Sequence, residues 1–381
     1  MNLHATSARP PSWSLRSVEA AGFFTSLTET AVNSRERVFH LLAGQTIDCL
    51  PAMPITMMFA ADQIGRKYLD YSLDSRVLAE AQIQTATAFD IDHVSCIAET
   101  REAPDCGAEV EYFEDQPPAV VASRVLLQDK SVLGRLKAPS PCTGERMSDR
   151  LNGVRILKER IGRDKIVEGW VEGPCAAAAD LRGLGNLMLD FYDDPAFVHD
   201  LFEFVLDVAV RFALAQLEAG ADLIGIGDAA ASLVSAQVYR EFIWPFEERL
   251  VAGIHTAGGL VRLHICGNTR RLLAELGRLG CEIVELDSMT PLSEARARMG
   301  PGQVVLGNVD PVSVVKNGTP ESVYDAVREC HRQAGGRFIV GAGCEIPRGT
   351  PPDNLLAMVK YAREHTDSGF VTVAGIQSAR S

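Results

Sequence analysis

The sequence has no apolar run approaching the roughly 18–20 residues that cross a bilayer, so no spanning helix is expected. Residues 1–16 lack the apolar stretch of a secretory signal, and the expectation is a cytoplasmic protein. Positive charge is in short supply: 37 Lys and Arg stand against 50 Asp and Glu, a net charge of −13. An acidic surface disfavours nucleic acid and anionic membranes as partners. There is no internal repeat and no low-complexity tract. A disulfide framework is also absent. The nine cysteines (Cys49, Cys96, Cys106, Cys142, Cys175, Cys266, Cys281, Cys330 and Cys344) are odd in number and irregularly spaced in a long chain. Most read as small buried hydrophobes, which leaves the question of which ones have a ligand partner.

What is present is an alternation of short β-rich runs with long helical patterns, the signature of a parallel sheet with crossover helices. The expected strands are Leu50–Thr56, Ile91–Ile97, Ile166–Glu172, Asp222–Gly227, Leu260–Ile265, Glu282–Asp287, Gln303–Asn308 and Arg337–Gly341. Eight such strands suit a closed (β/α)8 TIM barrel. Two further β-like runs within Ala108–Ser123 predict a hairpin inserted after the second strand. Asp194–Pro195 and Thr319–Pro320 are helix starts with a cap and a first-turn proline, and Thr350–Pro351 resembles them. After Asp194, the residues Phe197, Leu201, Phe204, Val208, Phe212 and Ala215 form an apolar stripe at helical spacing. The expected organisation is an arm with a helix over residues 1–33, the barrel over 34–365 and a tail over 366–381. A doubly wound open sheet shares the alternation. However, the turn Gly225-Ile226-Gly227-Asp228 is not GxGxxG, so nucleotide binding has little support.

Active sites of such barrels lie at the C-terminal ends of the strands. There the sequence collects polar groups: Glu172, Asp228, His264-Ile265-Cys266, Asp287, Asn308 and Gly343-Cys344-Glu345. His264 and Cys266, two apart on a strand, point to the same face. Cys344 leaves another strand at the same end, among glycines that permit close approach. Two sulfurs and an imidazole suit zinc, and three protein ligands leave a fourth position open, which is the catalytic pattern. The competing reading of a His-x-Cys pair is simple packing; the third thiol argues against it. Asp287 and Glu172 are candidates either for a fourth, displaceable ligand or for acid/base work, against a bland role as barrel-mouth carboxylates. Asp228 either binds a polar substrate group or caps a helix. Asn308 either donates to substrate or braces its loop. Arg66 either meets an anionic substrate or lies on the surface.

Around these residues the sequence resembles the uroporphyrinogen-decarboxylase superfamily, from about Ser34 to His365. The resemblance rests on His264-Ile265-Cys266-Gly267-Asn268-Thr269, Gly307-Asn308-Val309-Asp310-Pro311 and Gly343-Cys344-Glu345-Ile346-Pro347, supported by Glu172-Gly173-Pro174 and Gly227-Asp228. It is similar to the branch of methylcobamide-linked methyltransferases. That likeness implies zinc held by His264, Cys266 and Cys344. It also implies methyl transfer between a corrinoid, carried on a partner protein, and a small thiol or methoxy substrate, and it suggests a homodimer. The decarboxylase branch fits less well: no tyrosine stands near Ala178–Asp180, and its late histidine falls near Ala342. A decarboxylase-like enzyme and a non-catalytic zinc- or corrinoid-binding accessory protein are the alternative readings.

Overall fold

A computed structural model describes residues 32–98 and 101–367. The arm and helix expected over residues 1–33 and the tail expected over 366–381 lie outside these, apart from two positions at each boundary. Strand β1 (His93–Ser95) is followed by an antiparallel hairpin, β2 (Val110–Glu111) and β3 (Ala119–Val120), in the segment where an inserted hairpin is expected. Then come β4 (Ile166–Glu172), β5 (Leu223–Gly227), β6 (Leu260–Ile265), β7 (Ile283–Leu286), β8 (Val304–Val309) and β9 (Phe338–Ala342). The large sheet runs β1-β4-β5-β6-β7-β8-β9, and every neighbouring pair is parallel. Helices connect the strands and cover the outside, which is the (β/α)8 plan. Among the described residues, no helix is long and apolar enough to cross a membrane.

The first expected strand, Leu50–Thr56, departs from regularity. It makes one parallel bridge, between Ala52 and Val340 of β9. Met53 N donates to Val340 O at 2.9 Å and Val340 N to Pro51 O at 2.8 Å. Pro51 and Pro54 have no N–H to give, so the ladder cannot extend. On the other side a side chain takes over. Buried Asp92, just before β1, accepts from Ala52 N at 2.7 Å through Oδ2, and its own N donates to Ala52 O at 2.9 Å. Arg37 and Arg363 hold the same carboxylate at 2.5 and 3.0 Å. The barrel therefore closes through a proline-bearing stave pinned by an ionic clamp.

The cap devices behave in two ways. Asp194 accepts from Phe197 N at 3.3 Å and Pro195 opens a helix that runs to Ala219. Thr319 forms a capping box with Ser322. Thr350 does not cap: its hydroxyl donates to Pro347 O, and the last helix starts at Pro352 with Pro351 ahead of it. In the 195–219 helix, Phe197, Leu201, Val208 and Phe212 are buried as expected, together with Phe202, Val205 and Ala209. Phe204 and Ala215 are only partly buried, so the buried face is rotated from the expected stripe.

The barrel interior is not wholly apolar. Arg262 of β6 is completely buried between Glu168 of β4 and Glu285 of β7. Its guanidinium lies 3.3 Å from Glu168 and 2.9 Å from Glu285, and it also donates to Met53 O at 3.3 Å. His93 of β1 adjoins the same layer, 3.7 Å from Glu168. Removing one member of a buried ion pair leaves an uncompensated charge. Arg262→Ala is therefore expected to lower the unfolding free energy by roughly 3–5 kcal/mol, measured as a shift in denaturant midpoint at unchanged slope.

Candidate metal centre

His264 is the inward residue one position before the end of β6, and Cys266 follows on the same face as the strand gives way to a turn. Cys344 follows β9 after Gly343. The spacing between β9 and the turn after β7 leaves no room there for a side chain: a Cβ on Gly343 would lie 2.4 Å from Ser288 N. Gly267, at φ +87°, turns the chain sharply after Cys266. Its N–H donates to Asp287 Oδ2 at 2.8 Å, which holds the turn in place.

These elements bring three donors together. His264 Nε2 is 2.9 Å from Cys266 Sγ, Cys266 Sγ is 3.7 Å from Cys344 Sγ, and all three donor atoms lie within 4.8 Å of one another. Zinc at about 2.3 Å from each sulfur in tetrahedral array separates the sulfurs by about 3.8 Å, which matches the pair. The nitrogen–sulfur distance is shorter than the roughly 3.6 Å such an ion sets, a small ring displacement away. The donor set and its convergence thus fit zinc. His264 is almost wholly buried, and its Nδ1 sits 3.2 Å from Glu285 Oε2. A carboxylate behind a ligating histidine fixes its ring and raises its basicity.

The electrostatics follow from this convergence. Burial works against a charged His264, but Glu285 and the sulfurs outweigh it and raise the imidazole well above its ordinary value. Burial also opposes ionisation of Glu285, yet Arg262 and His264 hold its carboxyl down to about 2. Cys344, hydrogen-bonded to Cys266 and facing His264, is lowered to about 5, while Cys266 is raised, first by that same hydrogen bond and then by burial. One thiol is already inclined to be thiolate, the form a metal takes.

The other expected site residues separate into two groups. Glu172, at the end of β4, lines the cavity of about 180 Å³ that opens beside His264, Cys266 and Cys344, together with Arg101, Trp170 and Glu345. Arg101 Nη2 donates to Glu172 Oε1 at 2.6 Å. Burial and the nearby Glu102 and Asp180 outweigh that arginine and push Glu172 up to about 8.

Asp287, Asp228 and Asn308 serve the scaffold around the site. Asp287, expected as a fourth ligand, is not in the donor cluster found among the described residues. Its carboxylate is taken up by the N–H groups of Gly267 and Met289 and by the Ser288 hydroxyl. Asp228 is fully buried and accepts from Cys175 N and Ala176 N at 3.2 and 2.7 Å, capping the helix Pro174–Arg182. Asn308 donates to Asp287 O and Thr290 O at 3.0 and 2.6 Å, bracing the loop after β7. Arg66 is a surface residue paired with Asp70.

Sequence reasoning passed over Glu285, Arg262 and Glu168. Each is a charged residue at an interior position of an otherwise apolar strand, and that pattern was the available signal. Arg101 and Asp180 carried none, since neither lies at a strand end.

Fold and donors together define a (β/α)8 barrel with a three-donor metal cluster candidate at the C-terminal ends of its strands. A family model described as uroporphyrinogen decarboxylase (URO-D) matches residues 33–365, and the chain belongs to that family. A methylcobamide:CoM methyltransferase MtbA of Methanosarcina mazei is 30% identical over 347 residues, covering 88% of this chain and 99% of the relative. A methylated-thiol–coenzyme M methyltransferase of the same organism is 34% identical over 266 residues, 69% of this chain and 70% of the relative. A solved methyltransferase structure from Methanosarcina mazei superposes with a TM-score of 0.80 at 21% identity, covering 87% of this chain and 99% of the other, a likeness of fold.

Two tests follow from the geometry. Glu285→Gln is expected to weaken zinc binding roughly 10–100-fold, measured by chelator competition, with the barrel still folded. The second test concerns pH. A carboxyl raised from 4.5 to about 8 costs no stability below pH 4.5, where both folded and unfolded states carry the proton. Above that the unfolded chain ionises first, so stability falls until the pH passes about 8. Glu172→Gln should therefore flatten the decline of the unfolding free energy across this window, measured by denaturation at a series of pH values.

Proposed function

We propose that this chain is a zinc-dependent methyltransferase that moves a methyl group between a corrinoid and a small thiol. The observation that carries this reading is the meeting of His264 Nε2 and the sulfurs of Cys266 and Cys344 within 4.8 Å at the barrel mouth, beside a cavity. Three protein donors leave one position for substrate. The similarity to methyltransferases named for methylcobamide and coenzyme M supports the reaction class. The corrinoid is best supplied by a partner protein, and thiol acceptance is preferred over methoxy cleavage because both relatives act on thiols by name.

In this mechanism His264, Cys266 and Cys344 would hold the ion, with Glu285 and Arg262 fixing the histidine from behind. A bound zinc supplies Lewis acidity that lowers the pKa of a substrate thiol. Overall, the thiol would lose its proton and its sulfur would gain the methyl group, with the electron pair of the broken carbon–cobalt bond left on the methyl-donating corrinoid, which is a substrate carried by the partner. Glu172 faces the same cavity and pairs with Arg101, so it is the side chain suited to exchanging the thiol proton or orienting the substrate. Asp228, Asn308 and Asp287 act by holding helix and loops in register. A porphyrinogen decarboxylase lacks comparable support: the helix Pro174–Arg182 carries no tyrosine, and Ala342 stands where a histidine is expected.

The test is metal analysis combined with methyl transfer from methylcobalamin to a panel of thiols. The purified protein should contain about one zinc per chain and methylate at least one thiol. Cys344→Ala should lose both zinc and turnover, by more than the ~100-fold typical of an outer-shell change. Bound zinc with no transfer to any acceptor would favour an accessory role. A zinc-free protein that decarboxylates a porphyrinogen would overturn the proposal.

A further inference from the structure

Next to the metal cavity lies a larger one of about 540 Å³, and the two share Glu172 and Ala229 as a common wall. This volume falls in the small-molecule range of roughly 300–1,000 Å³, whereas a corrinoid with its nucleotide is a larger body. The walls of the larger cavity are mostly apolar: Pro118 and Val120 of the inserted hairpin, Val125, Leu184 and Leu233. Among the described residues that line it, the charged ones are Glu172 and Asp180. Among the described residues lining either cavity, the one arginine is Arg101, which is already engaged by Glu172 at 2.6 Å and Glu102 at 3.5 Å.

We infer that the larger cavity is the subsite for the body of the small-molecule substrate, and that it selects an uncharged, apolar substituent over an anionic one. The inference rests on the methyl-transfer reading, and it names the class of substrate that the same site takes. The physical reason is desolvation. An anionic tail entering this cavity gives up water, meets apolar walls and two carboxyl groups, and finds no uncommitted cation among the described lining residues. An apolar body gains from the same burial. The carboxyls do not form a strong cation trap either, since Arg101 sits among Glu102, Glu172 and Asp180. Burial further raises Glu172 to about 8 and Asp180 to about 7, so both hold protons readily near neutrality.

The test compares three thiols on one scaffold: 2-phenylethanethiol, 2-mercaptoethanesulfonate and cysteamine. Binding to the zinc-loaded protein is read by quenching of Trp170, which lines the metal cavity, and by calorimetry. Methyl transfer from methylcobalamin is read separately. The phenyl thiol is expected to bind at least tenfold more tightly than either charged one. Leu184→Arg, at a wall position that is 43% exposed and so tolerant of a long side chain, should narrow or reverse the gap to the sulfonate.

Equal or tighter binding of the sulfonate or of cysteamine by the wild-type protein overturns the inference, as does a Leu184→Arg protein, folded by circular dichroism, with an unchanged ratio. Phenyl-thiol preference without any methyl transfer supports the subsite and counts against the methyl-transfer reading. Transfer with the sulfonate as the best acceptor does the reverse.

Discussion

The structure depends on one buried chain of charge, from Glu168 through Arg262 and Glu285 to His264. It runs across three strands inside the barrel, where an unpaired charge is costly. Each member has a partner within 3.3 Å. Arg262 keeps Glu285 ionised, and Glu285 in turn holds the imidazole that reaches the sulfurs. The same contacts that close the core therefore aim the His264 imidazole. This links packing directly to chemistry: a change deep in β6 is felt at the mouth of the barrel.

The mouth is assembled differently, from loops whose backbones approach closely. Gly343 gives up its side chain to let the turn after β9 pass Ser288, and Asp287 and Asn308 fasten the loop between. That bracing matters because a metal tolerates little error in donor placement, and the sulfurs already stand 3.7 Å apart. Beyond the donors, Arg101 stands among Glu102, Glu172 and Asp180, and the adjoining cavity has largely apolar walls.

Seven of the eight expected strands correspond closely to observed ones, because each is a compact apolar run bounded by turn residues. The remaining one, Leu50–Thr56, makes a single bridge to β9 and is held on its other side by Asp92; its prolines were visible, but the clamp joins Arg37, Asp92 and Arg363 across more than 300 residues. The three clustered donors could be read from the sequence because a strand puts i and i+2 on one face and a barrel puts all strand ends on one rim. Asp287 was the natural candidate for a fourth ligand by the same logic. It turned to backbone N–H groups instead, since a short turn after β7 exposes Gly267 N and Met289 N to its carboxylate. The useful carboxylate was Glu285, on the same face two residues earlier.

The amino-acid sequence alone determined the alternation, seven of the eight strand positions, the hairpin and the three side chains, His264, Cys266 and Cys344, to look for at one rim, all of which follow from local periodicity and from the chemistry of imidazole and thiol. Only the tertiary structure decided the division of labour among the carboxylates. Glu172 faces a cavity, Asp228 caps a helix, Asp287 braces a turn and Glu285 backs the histidine. A carboxylate's task is set by the charges and N–H groups that reach it from elsewhere in the chain, and those distances come into being only when the barrel closes.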